Sequence, residues 1–346
     1  MSHVVHVADY GNPAPGSFVP ALLALARSLH GRRERCSFIS RHVPEAVWHR
    51  SARENFDSFA TVSNRFELYR MLWRAAPDVV HVHFSGWSVP ATLVGYLRGV
   101  RVIWHLHSAM GETPIGMRRA LRAAKYAWFG GGVHRFVTVS EALRSTIVGL
   151  GAPRTRIALI RNAVNAQHFR PPAPEQRRES RAALGIENDS RVLLFFGRDV
   201  EIKGADILWQ SLTGARNVVL IAVGAPEAAL REFRSRVPTI AVPFACDTAP
   251  LYWASDTLVM PSRREGAPYT LLEALCCGVP VLASDIEPLA EIARDEPLVA
   301  LVPNDPHAFA RAITAAPRAQ IQTNGKTAAR FGLDRWVREV SELYAA

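Results

Sequence analysis

With 346 residues, 49% of them hydrophobic, the chain is long enough for two domains and too apolar for a disordered one. No run of 18 apolar residues occurs, and the opening "MSHVVHVADY" has no basic start, apolar stretch or cleavage signal, which argues against secretion by that route and against a membrane span and favours a cytoplasmic protein. The net charge of +10 is uneven: residues 1–170 hold 22 Lys/Arg against 9 Asp/Glu, and residues 171–346 hold 19 against 22. A positive half can attract phosphates, nucleic acid or an anionic lipid surface. Since 38 of the 41 basic residues are arginine, solvated surface accounts for most of them. Four cysteines, Cys36, Cys246, Cys276 and Cys277, are too scattered for a disulfide framework.

In chain order, short Val/Ile-rich runs alternate with segments of helical period: "HVVHVA" then "FVPALLALARSL", "DVVHVHF" then "PATLVGYL", "VRVIWHL" then "MRRALRAAKYAWF", "RFVTVS" then "EALRSTIVGLG". The alternation predicts a mostly parallel sheet covered on both faces. After Phe169, the prolines and charges of "RPPAPEQRRES" predict a linker. Alternation then restarts with "RVLLFFG", "NVVLIAVG", "TIAVPF", "DTLVMPS", "VPVLASD" and "LVALVP", a second domain of the same kind. In "DRWVREVSELYAA", Trp336, Val340 and Leu343 or Tyr344 share one stripe, so this helix packs against something. The expected division is 1–168, 169–330 and a C-terminal helix 331–346 that returns to the N-terminal domain. Ligands of open α/β sheets bind at the carboxyl ends of strands, which puts the expected site in the cleft between two such domains.

Two stretches carry candidate chemistry. In "FFGRDVEIKGAD" a strand ends at Phe196, Gly197 lets the backbone turn, and Arg198 and Lys203 follow: a fork and a point charge suited to a diphosphate. The alternative is a turn with solvated charges. In "PSRREGAPYTLLEALCCGVPVLASD", Gly266-Ala267-Pro268-Tyr269 leads into a helix with Pro268 in its first turn, and a helix start can seat phosphate. Glu265 lies just outside that start and Glu273 about a turn and a half inside it. Carboxylates would repel phosphate, so they are better suited to accept hydrogen bonds from hydroxyl groups of a sugar or ribose. Equally, both could be ordinary helix charges.

Taken together these residues resemble a family. Glu265, seven residues and Glu273, then "EALCCGVPVLASD", preceded by "ASDTLVMPS", look like the donor-site signature of retaining glycosyltransferases of the GT-B fold, family 4, the group 1 glycosyl transferases. "GRDVEIKG" resembles the family's diphosphate-binding Arg and Lys, "LIRNAVNAQHF" its interdomain segment, and "DVVHVH", "VIWHLHS" and "FVTVSEAL" its N-terminal motifs, in the right order over nearly the whole chain. The resemblance implies two Rossmann-like doubly wound domains facing across a cleft, with an N-terminal acceptor domain and a C-terminal donor domain. It also implies transfer of a sugar from a nucleotide-sugar donor, by family habit a UDP-sugar, to a hydroxyl of a sugar, lipid-linked or small-molecule acceptor with retention of configuration. Arg198 and Lys203 would neutralise the departing diphosphate, Glu273 hold the ribose hydroxyls and Glu265 bind the sugar. Gly266, Ala267, Pro268 and Tyr269 would form the helix start between the two carboxylates. His107 matches the histidine that approaches the donor sugar, Gly16 and Ser17 the loop over the donor phosphates, and Asn162 the interdomain segment. Base contacts would come from backbone near "VPFACD". Two departures, Ala163 for Gly and Asn165 for Asp, bear on Asn162, and Ser17 replaces a second glycine.

No cofactor or metal is expected: no Asp-x-Asp motif holds a divalent ion, and no carboxylate or cysteine completes a zinc set with His81, His83, His105 and His107. In "IGMRRALRAAKYAWF", Arg118, Arg119, Arg122 and Lys125 share a helical face with Trp128 and Phe129 near its end. That helix is an ordinary amphipathic surface, the lining of a pocket for an anionic acceptor, or a peripheral contact with an anionic membrane at its inner face. The competing functions are a sugar-nucleotide 2-epimerase of the same fold and a clamp that binds a sugar nucleotide without consuming it. Nucleic acid is not an expected partner, because no DNA or RNA module signature appears.

Overall fold

The computed structural model describes residues 2–44, 46–84, 86–107, 116–244, 247–316 and 325–345, with the Arg118 side chain outside the description. Ala245 and Cys246, in the segment expected to face the base, also lie outside it.

The β-branched runs form strands that pair in parallel. The first seven are β1 (His3–Ala8), β2 (Arg35–Arg41), β3 (Ser58–Val62), β4 (Val79–His83), β5 (Arg101–Leu106), β6 (Arg135–Thr138) and β7 (Ile157–Leu159), in spatial order β3-β2-β1-β4-β5-β6-β7. The next six are β8 (Arg191–Phe196), β9 (Val218–Val223), β10 (Thr239–Val242), β11 (Thr257–Met260), β12 (Val281–Ser284) and β13 (Val299–Val302), in order β10-β9-β8-β11-β12-β13. Each sheet is doubly wound, and the strand order reverses between β1 and β4 in one and between β8 and β11 in the other. Those reversals are where loops splay apart and leave room for a ligand.

Two compact units result, Met1–Ala163 with Leu333–Ala346, and Val164–Gly332. In the first, the helix Phe18–Gly31 buries Phe18, Leu22, Leu25 and Leu29 at helical spacing. The helix Leu333–Ala345 packs beside it and buries Trp336, Val340 and Tyr344. Each such side chain contributes about 2–3 kcal/mol by leaving water. In the second, the helix Tyr269–Cys276 buries Leu271, Leu272 and Leu275 together with Val281 and Ala283 of β12. Cys36, Cys276 and Cys277 are free, buried thiols; burial pushes Cys276 up to about 12 and Cys277 higher.

Three details differ from the expectations above. Strands β2, β3 and β7 have no counterpart among the predicted runs: "RCSFISR" is bracketed by arginines, "SFATV" has one β-branched pair, and "IAL" is three residues long. The expected linker after Phe169 contains a helix, Pro174–Ala183, because Pro174 occupies the first turn, where its missing N–H costs nothing. Arg177 and Arg181 anchor that helix to Asp256 at 2.6 and 2.9 Å, with Arg181 and Asp256 buried. Finally, the units divide at Ala163/Val164 and Gly332/Leu333, since Val164 N–H donates to the Phe331 carbonyl at 2.8 Å and Phe169 is part of the second unit's core.

Candidate active site

In the second unit the reversal point brings the loop after β8 against the loop after β11. Contact is close at Gly204, where φ is +65° and an added Cβ would lie 1.9 Å from the Pro261 carbonyl oxygen, so only glycine fits. Asp199 shapes the turn by accepting from Ile202 N–H at 2.9 Å, and Lys203 N–H donates to the Asp199 carbonyl at 2.9 Å. This presents the Lys203 side chain to Glu265: Lys203 Nζ donates to Glu265 Oε1 at 2.7 Å, and Ser262 Oγ donates to the same oxygen at 2.8 Å. Glu265 is nearly buried and Lys203 partly so, which makes this pair less screened than a surface contact. Arg198 is exposed one residue past Gly197, its guanidinium 5.6 Å from the centre of the Phe244 ring.

Pro268 is the N-cap of the helix Tyr269–Cys276, one position earlier than the first-turn place expected of it. Gly266 and Ala267 are buried in the approach to that helix. Glu273 is not the exposed helical charge of the alternative reading: it is buried, and Tyr252 Oη donates to its Oε2 at 2.7 Å. Burial, reinforced by Glu273, holds the Tyr252 phenol well above its ordinary pKa, so it stays a donor at all working pH values. Lys203, Glu265 and Ser262 are therefore one hydrogen-bonded group, and Glu273 with Tyr252 another.

In the first unit, Gly16 adopts φ +50° between β1 and the helix Phe18–Gly31, and Ser17 is buried as that helix's N-cap. Tyr10 Oη braces the loop through the Ala14 and Pro15 carbonyls at 3.0 and 3.1 Å. Phe18, next along, meets His107 edge to face with ring centres 5.2 Å apart. The two-residue spacing along β4 and β5 aims His81 and His83, and His105 and His107, at one face of the sheet, where His6 of β1 joins them. The five imidazoles form two hydrogen-bonded rows. In one, His6 Nδ1 meets His83 Nε2 at 2.9 Å, His83 Nδ1 meets His107 Nε2 at 2.9 Å, and His107 Nδ1 meets Asn162 Oδ1 at 3.1 Å. In the other, Tyr344 Oη meets His81 Nδ1 at 2.6 Å and His81 Nε2 meets His105 Nδ1 at 3.2 Å. The rows stack face to face, with ring centres of His105 and His107 3.9 Å apart and of His81 and His83 4.2 Å apart.

The Asn162 carbonyl oxygen can only accept, so it sets the direction of the first row. His107 and then His83 and His6 each carry the proton on Nδ1, and the His6 Nε2 lone pair faces no partner among the described residues. Burial lowers every member: His6 to about 3, His107 to about 4, and His81, His83 and His105 well below 6.5. They are neutral at physiological pH. Two groups, His6 with His81 and His83, and His83 with His105 and His107, have nitrogens within 4.8 Å of one another. Within each group the ring planes lie 17–35° apart, and apart from His6 Nε2 and His105 Nε2 the ring nitrogens meet in pairs. His107 differs from its expected role in one respect: both its ring nitrogens bond to His83 and Asn162, so it offers its ring face and backbone to whatever lies beyond β5.

Sequence reasoning had singled out Arg198, Lys203, Glu265, Glu273, His107 and Asn162, and the structure joins Lys203 to Glu265 and His107 to Asn162. It had not found Ser262, Tyr252 or His6. Their signal would have been a polar residue at the carboxyl end of a strand or inside a buried run, which "VMPS" and "HVVHVA" do contain.

Comparison with known proteins gives two family matches: "Glycosyltransferase Family 4" over residues 20–168 and "Glycosyl transferases group 1" over residues 190–316. A D-inositol 3-phosphate glycosyltransferase of Streptomyces bingchenggensis is 27% identical over 308 residues, covering 78% of this chain and 66% of the relative. One of the same description from Xylanimonas cellulosilytica is 29% identical over 310 residues, covering 78% and 72%. The chain thus spans about two thirds of the length of these relatives. The solved structure of Anabaena Alr3699/HepE in complex with UDP and glucose superposes with a TM-score of 0.84 over 100% of both chains at 17% identity, a likeness of fold.

Proposed function

The chain belongs to glycosyltransferase family 4, and we propose that it transfers a sugar from a nucleotide-sugar donor, a UDP-sugar, to an acceptor hydroxyl with retention of anomeric configuration. The observation that carries this reading is the Lys203–Glu265 pair at the strand reversal of the second unit, with Arg198 exposed on the same loop after β8. An ammonium has three N–H bonds. One is committed to Glu265 Oε1, and the other two can reach a diphosphate. Glu265 in turn spends one oxygen on Lys203 and Ser262 and presents the other to a sugar hydroxyl. The same carboxylate that fixes the cation therefore reads the sugar attached to the anion. Glu273, held by Tyr252, takes the ribose hydroxyls, and the backbone from Gly266 to Tyr269 supplies the helix start. Within the first unit, Asn162, tied to His107, fixes the end of β5.

As the glycosidic bond to the diphosphate breaks, negative charge grows on the leaving oxygen and the anomeric carbon becomes oxocarbenium-like. Cations already in place stabilise that charge without reorganising. The acceptor hydroxyl attacks from the face the diphosphate leaves, and the departing phosphate oxygen takes the hydroxyl proton, so no protein base is assigned. Arg198 and Lys203 do what a divalent ion does in other transferases, so EDTA is expected to leave turnover unchanged.

The test is thermal unfolding with UDP, GDP, ADP and dTDP at equal concentration, for the wild type and Lys203→Ala. UDP is expected to raise the melting temperature of the wild type by mass action and to have little effect on the variant. Turnover of the variant should fall about 10²–10³-fold, the usual loss when one charge-stabilising donor is removed. If no nucleotide stabilises the wild type, the donor reading is wrong. Consumption of the donor with an accepted hydroxyl, and the anomeric proton coupling of the product, separate transfer from clamping and retention from inversion.

A further inference from the structure

Three helices of the first unit, Arg65–Ala75, Ser88–Arg98 and Met117–Gly130, carry eight of the twelve large apolar side chains exposed among the described residues. On the first helix these are Phe66 and Trp73. On the second, Leu93, Tyr96 and Leu97 recur at helical spacing, Leu97 being 64% exposed. On the third, Leu121 and Trp128 stand out at 64% and 78%. Scattered apolar residues on a surface are ordinary, but these are joined. The Arg98 guanidinium lies 4.7 Å from the centre of the Trp73 ring, which ties the second helix to the first. Tyr96 Oη reaches the Trp128 carbonyl, and the Tyr96 ring fills the space a Cβ on Gly132 would need, which ties the second helix to the third.

The same helices hold eight Lys/Arg and a single acid, Glu67, whose carboxylate is bonded to Ser63 N–H. Such a face suits neither a second copy of itself nor nucleic acid. A two-fold contact would set the basic patch against itself, and aliphatic side chains at the centre gain nothing from a sugar-phosphate backbone. Apolar side chains that protrude among arginines match the boundary of an anionic bilayer, where rings and aliphatic groups enter the acyl region and guanidinium groups meet lipid phosphates. We propose that this three-helix face docks the protein on an anionic membrane surface. Vesicle binding is read without any donor, so the inference stands apart from the reading of the second unit.

The experiment is co-sedimentation of the full chain with phosphatidylcholine vesicles and with vesicles containing phosphatidylglycerol, at low and high salt. Binding is expected only to the anionic vesicles, weakening as salt rises. Arg70→Glu with Arg119→Glu should weaken it by about thirtyfold from the loss of two surface cations alone, and further from the gain of two anions. Leu121→Ser with Trp128→Ser should also weaken it. Because Trp73 and Trp128 are exposed, acyl-brominated lipid should quench part of the wild-type fluorescence, a readout that needs no variant to fold. No association with anionic vesicles at low salt, or no quenching, overturns the proposal. So does binding that both folded double variants leave unchanged, or a concentration-dependent dimer that Leu121→Ser with Trp128→Ser abolishes, which would assign the face to a second copy.

Discussion

The two units bury polar groups in opposite ways. On β1, β4 and β5 the first unit stacks five neutral imidazoles that hydrogen-bond one another in rows ending at Asn162 and Tyr344. Around β8 and β11 the second unit buries charge instead: Asp256 accepts from Arg177, Arg181 and the backbone of Val192, and Glu265 accepts from Lys203. Neutral rows need no counterions but fail when protonated. Buried ions tolerate ordinary pH changes but fail when one partner is lost. The sheets are alike in winding, so the difference lies in side-chain chemistry, and it makes each unit sensitive to a different perturbation.

Acid should separate them most widely. The five histidines have folded pKa values below the unfolded 6.5, so the unfolded state binds more protons as pH falls. Stability is then complete above about pH 6.5 and is lost as pH falls below it, with His6 reaching its folded value only at about 3 and His107 at about 4. At about 1.4 kcal/mol per histidine per pH unit, the first unit should lose about 5–7 kcal/mol between about pH 8 and about pH 5.5. Hydrogen exchange at both pH values checks this: protection of β1, β4 and β5 should collapse while that of β8 and β11 persists. Equal loss in both sheets would break the comparison.

The converse perturbation is Asp256→Ala, which strands two arginines at a buried site and should cost about 3–5 kcal/mol, read as an earlier urea transition of the second unit at neutral pH. A smaller effect is expected for Tyr252→Phe. It removes the donor to Glu273 Oε2 and should cost about 1–3 kcal/mol, with a reduced nucleotide-induced melting shift. If the stability changes but the nucleotide shift does not, Glu273 is structural and the ribose contact lies elsewhere.

Most of the winding was legible because parallel strands buried on both faces read as continuous apolar runs, as in "HVVHVA" and "RVLLFF". Strands at or near the sheet edge, β3 and β7, are short and only partly buried, and left little signal. At the site, residue types and loop positions were readable: the i, i+2 histidines, and Lys203 beside a glycine turn. Which side chain meets which was not. Lys203 and Glu265 are 62 residues apart, and His81 and Tyr344 are 263 apart, so their pairing depends on strand order that local pattern does not encode. The pairing also decided between readings left open, as when Tyr252 turned Glu273 from a surface charge into a buried acceptor.

One feature of the chain path bears on how the protein comes into being. The helix Leu333–Ala345 belongs to the first unit, although 169 residues of the second lie between it and Ala163. On a ribosome, the second unit has all its strands and helices before the first has Trp336, Val340 and Tyr344. The histidine face of β4 therefore waits, without the Tyr344 hydroxyl, until the second unit has emerged. Domains usually mature in the order they are made; here the half that begins first is completed last.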